Sequence, residues 1–281
     1  MKIVVTKNVG YCMGVKRSLK ILDKIIKENQ GNVYLYKDII HNKETIKKYK
    51  EQGVKVNYKI SDFVNFQEKT IVGSAHGLSI KDKNSLLKEN NEVIDTTCPY
   101  VSKSLAKLLK YQDDGYTIIY LGDKNHDEGK FILNSTKDIH FVETIEEIKE
   151  LPKFPRAALV NQTTNDYEVF LEAKTWLESL YPDLKTVSVC SETKLRQQEF
   201  LRKLKPGFLG IVVGDKESRN TNKLVELGSS VTKTIRVTNE TDINKEDITN
   251  YQTVVITTGA STASETLELV IKKIKDFEKI K

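Results

Sequence analysis

The chain has 281 residues, of which 38% are hydrophobic and 30% are charged, and its formal net charge is +6. These values are typical of a globular protein and exclude a disordered or membrane-embedded chain. The length allows two or three domains with well-buried cores. No apolar stretch is long enough to span a bilayer, so we expect no membrane partner.

The distribution of charge and the number of cysteines indicate which partners and which cellular compartment to expect. The lysines are spread through mixed runs such as KENNEVID and KSLAKLLK, as on solvated helix faces, so a nucleic-acid partner is not expected. The first residues, MKIVVTKNVG, have the pattern of a strand, and their apolar run is too short for a signal peptide. The chain has only three cysteines, an odd and low number that indicates the reducing cytoplasm.

Short β-branched runs alternate with amphipathic segments along the chain. The predicted strands are, in order, KIVVT, NVYLY, TIVGSA, EVIDTT, TIIYLG, RAALVNQ, TVSVC, LGIVVG, SVTKTIRV and TVVITTG. The predicted helices are KRSLKILDKIIKEN, NKETIKKYKEQG, SIKDKNSLLKEN, VSKSLAKLLKYQ, DYEVFLEAKTWLESL, KLRQQEFLRKL, NTNKLVELGSS and ASETLELVIKKIKDFEKI. This alternation predicts parallel βαβ units and therefore an α/β fold.

The three cysteines, Cys12, Cys98 and Cys190, are almost evenly spaced. Each ends a strand-like run (NVGYC, EVIDTTC, TVSVC) and precedes a helix rich in Lys or Arg. The chain thus has the pattern of three similar α/β units, each of which offers one thiol from the same position. Ligands of open α/β sheets bind beyond the carboxyl ends of the strands, where these thiols are expected.

Two interpretations of these cysteines compete. A single free cysteine is usually a small buried hydrophobe. Three cysteines in equivalent contexts favour ligation instead, and helix N-termini with nearby basic residues favour the thiolate form. The paired C-x₂₋₄-C spacing of structural zinc is absent. Three thiolates suit a 4Fe–4S cluster in which one iron lacks a protein ligand and can bind a substrate oxygen.

Polar residues are found at the same kind of position. His41, His76 and His126 stand at strand-to-helix junctions, whereas His140 is predicted to be a peripheral strand residue. The small polar side chains at other strand ends are Thr163, Thr164, Ser218, Asn220 and Ser261. Each is sufficiently explained as a helix cap, yet together with imidazoles and helix N-termini they favour a phosphate site. Neither G-x-x-x-x-G-K-[ST] nor G-x-G-x-x-G is present, so nucleotide binding is not indicated.

The motifs together resemble one enzyme family. GYCMGVKRS, HNKET, SAHGLS, DTTCPYVSK, NHDEG, NQTT, VCSETKLRQ, VVGDKESRNTNKL and TTGAS occur in the order and near the spacing of the LytB/IspH family of 4-hydroxy-3-methylbut-2-enyl diphosphate reductases. The resemblance covers nearly the whole chain. The elements GxCxGV, SAHG, TCPxV and NQTT are highly specific in combination.

The resemblance implies a trefoil of three α/β domains around a central cluster, with the N-terminal strand completing the third domain. On this chain the domains would be 14–97, 98–189, and 1–13 with 190–281. One 4Fe–4S cluster per chain would be held by Cys12, Cys98 and Cys190, and its fourth iron would take the allylic hydroxyl of the substrate.

The implied reaction is the last step of the deoxyxylulose phosphate route to isoprenoids. It is a two-electron, two-proton reductive dehydroxylation that gives isopentenyl and dimethylallyl diphosphates. Electrons would come from a ferredoxin or a flavodoxin, acidic proteins that the net charge of +6 suits.

The resemblance also implies residue roles. Glu128, helped by Thr163, would supply the proton that turns the hydroxyl into water, and His126 would stand near both substrate and cluster. The implied substrate-binding residues are His41, His76, His126, Thr163, Ser218, Arg219, Asn220 and Ser261. Arg219 stands where many relatives have a serine; it either adds a phosphate contact or points outward, and the second is favoured. Only one of Thr163 and Thr164 can face inward on an extended segment, and Thr163 is favoured.

Two alternatives stay open at this point. The first is another three-cysteine cluster enzyme such as quinolinate synthase, against which the SAHG, NQTT and diphosphate-loop motifs count. The second is a non-enzymatic iron–sulfur sensor, which leaves Glu128 and the strand-end histidines without a role.

Overall fold

The structure is a computed structural model that describes residues 1–29, 31–88 and 90–279. Gln30 and Glu89 of the first predicted domain, and Ile280 and Lys281 of the third, lie outside the described residues. The fold is α/β, as predicted, with three parallel sheets of four strands each. Among the described residues, each helix is either too short or too polar to cross a membrane.

The chain forms two compact units. The first comprises residues 1–13, 41–45 and 191–281 and contains one sheet; the second comprises residues 14–40 and 46–190 and contains the other two. The division into three domains at the predicted boundaries stays a prediction.

Sheet 1 has the strand order β3-β2-β4-β5. Its strands are β2 (Val33–Tyr36), β3 (Lys55–Asn57), β4 (Thr70–Gly73) and β5 (Glu92–Ile94). The helices in this part of the chain are α1 (Met13–Glu28), α2 (Lys43–Glu51) and α3 (Ile80–Leu86), and a short 3₁₀ helix covers Ile60–Phe63. The central strands β2 and β4 are buried along their whole length.

Sheet 2 has the order β7-β6-β8-β9. Its strands are β6 (Thr117–Leu121), β7 (Ile139–Val142), β8 (Ala157–Asn161) and β9 (Lys185–Val187). The helices are α4 (Pro99–Asp113), α5 (Asp127–Ser135), α6 (Ile145–Glu150) and α7 (Tyr167–Leu180). Leu159 packs in a core with Phe170 of α7, while the next residue, Val160, packs with Leu108 of α4. Because both faces of β8 are covered, its sequence is continuously apolar.

Sheet 3 has the order β11-β10-β12-β1. Its strands are β1 (Lys2–Val5), β10 (Leu209–Val213), β11 (Thr234–Val237) and β12 (Thr253–Thr258). The helices are α8 (Ser191–Lys203), α9 (Arg219–Ser229), α10 (Lys245–Thr249) and α11 (Ser264–Lys279), and a 3₁₀ helix covers Glu240–Asp242. The N-terminal strand pairs with β12 in parallel from Lys2 opposite Thr253 to Val5 opposite Ile256.

The three sheets share one topology. In each, the second strand of the set is at an edge, followed by the first, the third and a fourth strand, and in sheet 3 the N-terminal β1 is the fourth strand. Each cysteine follows a fourth strand: Cys12 comes after β1, Cys98 after β5 and Cys190 after β9. The three cysteines are therefore topologically equivalent, which near-even spacing alone could only suggest.

The sequence patterns do not predict several of the short elements. They do not predict β3, and they indicate β7 only through the assignment of His140 to a peripheral strand. They also do not predict the helices α5, α6 and α10, which have nine residues or fewer. Segments this short show little periodicity, and tertiary contacts rather than propensity form them.

Candidate active site

The cysteine backbones are anchored in the same way in all three sheets. Each cysteine N–H donates to a carbonyl two residues past the end of the third strand of its sheet. The N···O distances are 2.9 Å from Cys12 to Ala260, 2.9 Å from Cys98 to Ala75 and 3.0 Å from Cys190 to Thr163. The anchoring carbonyls lie at the carboxyl ends of the strands, the edge at which parallel sheets bind ligands.

All three cysteine side chains are partly exposed. Cys98 is the N-cap residue of α4 and therefore lies at the positive end of the helix dipole. Before Cys12, Gly10 has a φ of +76°, and a Cβ there would lie 2.6 Å from Oγ of Ser264. Only glycine permits both this conformation and the close approach of Ser264. A thiol is a soft donor for metals.

A buried carboxylate lies at the end of β8. Glu128, in the first turn of α5, is 1% exposed. Its Oε1 accepts the N–H of Thr163 at 2.9 Å, and its Oε2 is 2.7 Å from the hydroxyl of the same threonine. The hydroxyl of Tyr120, on β6, lies 3.4 Å from Oε1. The carboxyl group is thus held in one orientation and has a hydroxyl in contact with each oxygen.

The neighbouring histidine is part of the same helix start. His126 is the N-cap residue of α5, and its Nδ1 accepts the N–H of Glu128 at 3.1 Å. This bond needs an unprotonated Nδ1, so Nε2 carries the proton in the neutral ring. The ring of His76 stands edge-to-face with that of His126 at a centroid distance of 5.4 Å. After His76, Gly77 has a φ of +127°, and a Cβ there would overlap the ring of Phe131.

A charged cluster supports the start of α5. Lys37, which has a φ of +66°, places its Nζ 3.6 Å from a carboxylate oxygen of Asp127 and 5.1 Å from the ring centroid of Tyr36. Burial raises the pKa of Tyr36 to about 12, helped by the negative charges of Asp82 and Asp127. The tyrosine therefore stays neutral at physiological pH.

The first unit contains a second polar cluster. Ser218, the N-cap residue of α9, places its Oγ 3.5 Å from Oγ of Ser261, which donates to the carbonyl of His41 at 3.0 Å. Asn42 donates to the carbonyl of Ser261 at 2.8 Å. Asp215 accepts the N–H of Lys43 at 3.0 Å. These bonds hold the loops after β10 and β12 against residues 41–45 at the N-terminus of α9.

Asn220 is the most informative member of this cluster. It is 3% exposed, yet neither atom of its side-chain amide has a hydrogen-bond partner among the described residues. A buried amide without partners is costly, so its presence indicates a polar ligand. Arg219, beside it, is half-buried. Hydroxyls, an unsatisfied amide and the N-terminus of an eleven-residue helix together suit an anion.

Comparison with known proteins agrees with this geometry. The family model described as LytB protein matches residues 3–275. The chain belongs to the LytB family. The resemblance seen in the motifs is thereby confirmed, and the chain is an enzyme of the reductase class, as predicted.

Curated LytB relatives match over nearly their whole length. The 4-hydroxy-3-methylbut-2-enyl diphosphate reductase of Campylobacter hominis is 34% identical over 278 residues, which is 98% of each chain. The enzyme of the same name from Aquifex aeolicus is 32% identical over 284 residues, covering 98% of this chain and 96% of the relative.

Two solved structures share the LytB fold. The structure of (E)-4-hydroxy-3-methyl-but-2-enyl diphosphate reductase, the terminal enzyme of the non-mevalonate pathway, has a TM-score of 0.69 at 29% identity and covers 98% of this chain and all of the other. The E-1-hydroxy-2-methyl-but-2-enyl-4-diphosphate reductase from Plasmodium falciparum has a TM-score of 0.88 at 24% identity, covering 96% and 87%. The second likeness supports the fold alone.

The structure distributes the predicted LytB site residues over the two units. The second unit contains Cys98, Cys190, His76, His126, Glu128 and Thr163, and the first contains Cys12, His41, Ser218, Arg219, Asn220 and Ser261. Of the two threonines, Thr163 contacts Glu128, while the hydroxyl of Thr164 is 3.4 Å from Nε2 of Gln162. A chain of contacts in the second unit joins Cys190, Thr163, Glu128, His126 and His76, and one in the first unit joins Ser218, Ser261 and His41.

Sequence reasoning missed two contributors. The sequence pattern indicates Tyr120 only as a strand residue, but the residue is fully buried and its hydroxyl faces Glu128. Asn42, within HNKET, donates from its side chain to the carbonyl of Ser261 and accepts the N–H of Thr45 at 2.8 Å. The sequence indication for Tyr120 is a polar group inside an otherwise apolar strand. For Asn42 the only indication is that it follows His41.

Proposed function

We propose that this chain reduces 4-hydroxy-3-methylbut-2-enyl diphosphate to isopentenyl and dimethylallyl diphosphates with a 4Fe–4S cluster. The substrate takes up two electrons and two protons, its allylic C–O bond breaks, and one product diphosphate and one water are formed. This is the last step of the deoxyxylulose phosphate route. The family membership and the names of the full-length relatives support the choice of substrate.

The equivalence of Cys12, Cys98 and Cys190 carries the proposal. Each follows the fourth strand of its sheet, and each donates its backbone N–H to the carbonyl two residues past the end of the third strand. A donor set of three thiols without a fourth cysteine fits a 4Fe–4S cluster with one iron open to substrate, and it does not fit a closed structural zinc site. When bound, the cluster supplies the electrons and a Lewis-acidic iron.

The first unit supplies the diphosphate-binding groups in this proposal. Ser218 provides a hydroxyl and Asn220 an amide donor, and Ser261 adds a second hydroxyl once it releases the carbonyl of His41. His41 adds an imidazole. The side-chain Nδ2 of Asn220, which has no partner among the described residues, donates to a phosphate oxygen. The N-terminus of α9 stabilises the negative charge. The second unit adds His76, and Arg219 adds a phosphate contact only if its side chain turns inward.

The second unit supplies the proton. When Oε2 of Glu128 is protonated, it donates to the hydroxyl of Thr163, 2.7 Å away, and that hydroxyl passes its own proton to the departing hydroxyl of the substrate. Hydroxide is a poor leaving group, and protonation allows it to leave as water. His126, through its Nε2–H, orients the substrate, since its Nδ1 is occupied by the N–H of Glu128.

The partner and setting follow from the reaction. The electrons arrive one at a time from an acidic carrier protein, a ferredoxin or a flavodoxin, for which a chain of net charge +6 is a suitable partner. We place the enzyme in the cytoplasm, because three thiols that bind a cluster must stay reduced.

The test is to prepare the protein without oxygen and measure its iron and sulfide content and its Mössbauer and EPR spectra with and without substrate. We expect four irons and four sulfides per chain, a spectral change at one iron on adding substrate, and turnover with a chemical reductant. Cys12→Ser, Cys98→Ser and Cys190→Ser should each lower the iron content. A cluster whose spectrum ignores the diphosphate, or turnover in a quinolinate-forming assay instead, would overturn the proposal.

A further inference from the structure

Two hydrogen bonds repeat one pattern around the cysteines. Arg196, six residues after Cys190, donates from Nη2 to the carbonyl of Gly10, two residues before Cys12, at 2.8 Å. Ser18 is six residues after Cys12, and its Oγ donates to the carbonyl of Thr96 at 2.8 Å. Thr96 is two residues before Cys98. In both cases the helix after one cysteine fixes the segment before the next. We call these bonds the cysteine locks.

The third position of the pattern has a donor and an acceptor but no bond. Ser104 is six residues after Cys98, and Ser188 is two residues before Cys190. Ser104 is 4% exposed, and its Oγ has no hydrogen-bond partner among the described residues. Ser18, by contrast, is fully buried and makes two bonds, to the carbonyls of Thr96 and Gly14.

The surroundings place Ser104 on the face of α4 that meets the Cys190 strand. Val101 and Leu108, one turn to either side, belong to a core that also includes Val187, the residue before Ser188. Helix α4 packs on β9, which ends at Val187. A buried hydroxyl costs free energy until it finds an acceptor. The acceptors used by Arg196 and Ser18 are the carbonyls two residues before a cysteine, and the carbonyl in that position before Cys190 is that of Ser188.

We propose that Ser104 is the positioning residue of a third cysteine lock, which forms when Cys190 becomes a cluster ligand. In that state the hydroxyl of Ser104 donates to the carbonyl of Ser188 and fixes the strand end that carries Cys190. The locks before Cys12 and Cys98 are already formed, so Cys190 is the last thiol to be fixed and the first to be released. This inference rests on the cluster ligands assigned under the proposed function.

Ser104→Ala tests the lock, and Ser18→Ala is the matched control, because each deletes one oxygen from a buried helix position. Each variant is reconstituted with iron and sulfide, and iron release to a chelator is followed while iodoacetamide labels the cysteines. Mass spectrometry then gives a labelling rate for each cysteine. We expect Ser104→Ala to speed the labelling of Cys190 by about fivefold relative to the other two, the effect of one lost hydrogen bond. Ser18→Ala should instead speed the labelling of Cys98 relative to the other two cysteines.

Thermal unfolding of the iron-free variants supplies a second measurement. Ser18→Ala should lower the unfolding midpoint, because it removes two existing bonds. Ser104→Ala should leave it unchanged or raise it, because it removes an unsatisfied hydroxyl. A midpoint lowered as in Ser18→Ala would show that the hydroxyl is already bonded, and this overturns the proposal.

Equal labelling of all three cysteines in Ser104→Ala, or iron release at the wild-type rate, would also overturn it. Failure of the proposed function has a different signature: the wild-type protein would then bind no cluster, or a cluster whose spectrum does not change with the diphosphate. Neither result depends on the ratio of cysteine labelling rates.

Discussion

Thr163 makes two hydrogen bonds to a single carboxylate, that of Glu128: its backbone N–H reaches Oε1 at 2.9 Å and its hydroxyl reaches Oε2 at 2.7 Å. The same threonine uses its carbonyl to accept the N–H of Cys190. One residue at the end of β8 therefore connects the proposed proton donor with a proposed cluster ligand, and the orientation of both depends on it.

Glu128→Gln should remove most turnover. The amide keeps the size of the side chain and much of its hydrogen bonding but cannot deliver a proton, so we expect kcat to fall about 10²-fold or more. The dissociation constant of the substrate, measured by calorimetry, should change little. Glu172→Gln, on the exposed face of α7, is the control. Activity that survives the change at Glu128 would contradict its assignment.

Thr163→Val should separate the hydroxyl from the backbone contact. Valine has the same shape, so the hydrogen bond from the backbone N–H to Oε1 of Glu128 remains, while the hydroxyl contact with Oε2 is lost. We expect kcat to fall about tenfold with a smaller effect on KM. Thr164→Val removes a neighbouring hydroxyl that does not contact Glu128 and should retain nearly full turnover. Equal effects of the two changes would argue against a role of the Thr163 hydroxyl.

Asn220→Leu should weaken diphosphate binding without destabilising the fold. The change removes two buried polar atoms that have no partner among the described residues, so the unfolding midpoint should stay the same or rise. The affinity for inorganic diphosphate, measured by calorimetry, should fall by at least about tenfold. Asn134→Leu, at an exposed position of α5 in the second unit, is the control. Unchanged diphosphate affinity in Asn220→Leu would remove this residue from the site.

Gly77→Ala should be strongly destabilising. The residue has a φ of +127°, and an added Cβ would lie 2.3 Å from the ring of Phe131, so we expect a loss of about 3 kcal/mol in the free energy of unfolding. Gly115 also has a positive φ, +81°, but nothing lies within 4 Å of an added Cβ. Gly115→Ala should therefore cost only about 1 kcal/mol. Urea titrations of both variants measure the difference.

Glu199 should make the first unit sensitive to acid. Although burial alone would raise the pKa of Glu199, the backbone N–H groups of Lys7 and Asn8 and the charge of Lys203 lower it below its ordinary value of 4.5. A depressed pKa in the folded state stabilises the fold above pH 4.5, and this contribution is lost as pH falls through the folded-state pKa.

Glu199→Gln tests this dependence by urea unfolding at several pH values. The variant should be less stable than the wild type at pH 7, and the difference should shrink steadily below pH 4.5. A difference that is constant with pH would show that Glu199 acts through packing rather than charge.

Much of this protein was determined by its sequence alone. The alternation of β-branched runs with amphipathic segments predicted the parallel α/β fold, since strands buried on both faces must be apolar throughout. The cysteine contexts predicted three equivalent units, and the motif order predicted the family. These features depend on local sequence patterns, so they can be recognised in a single sequence.

Only the tertiary structure decided which atoms meet. Nothing in NQTT indicates that Thr163 uses its N–H and hydroxyl on Glu128 and its carbonyl on Cys190. Nothing in KSLAKLLK distinguishes Ser104, whose hydroxyl is buried without a partner, from Ser18, whose hydroxyl is bonded. Such contacts join residues far apart in the chain and depend on distances of a few tenths of an ångström. Local sequence patterns carry no such information, because packing of the whole fold sets those distances.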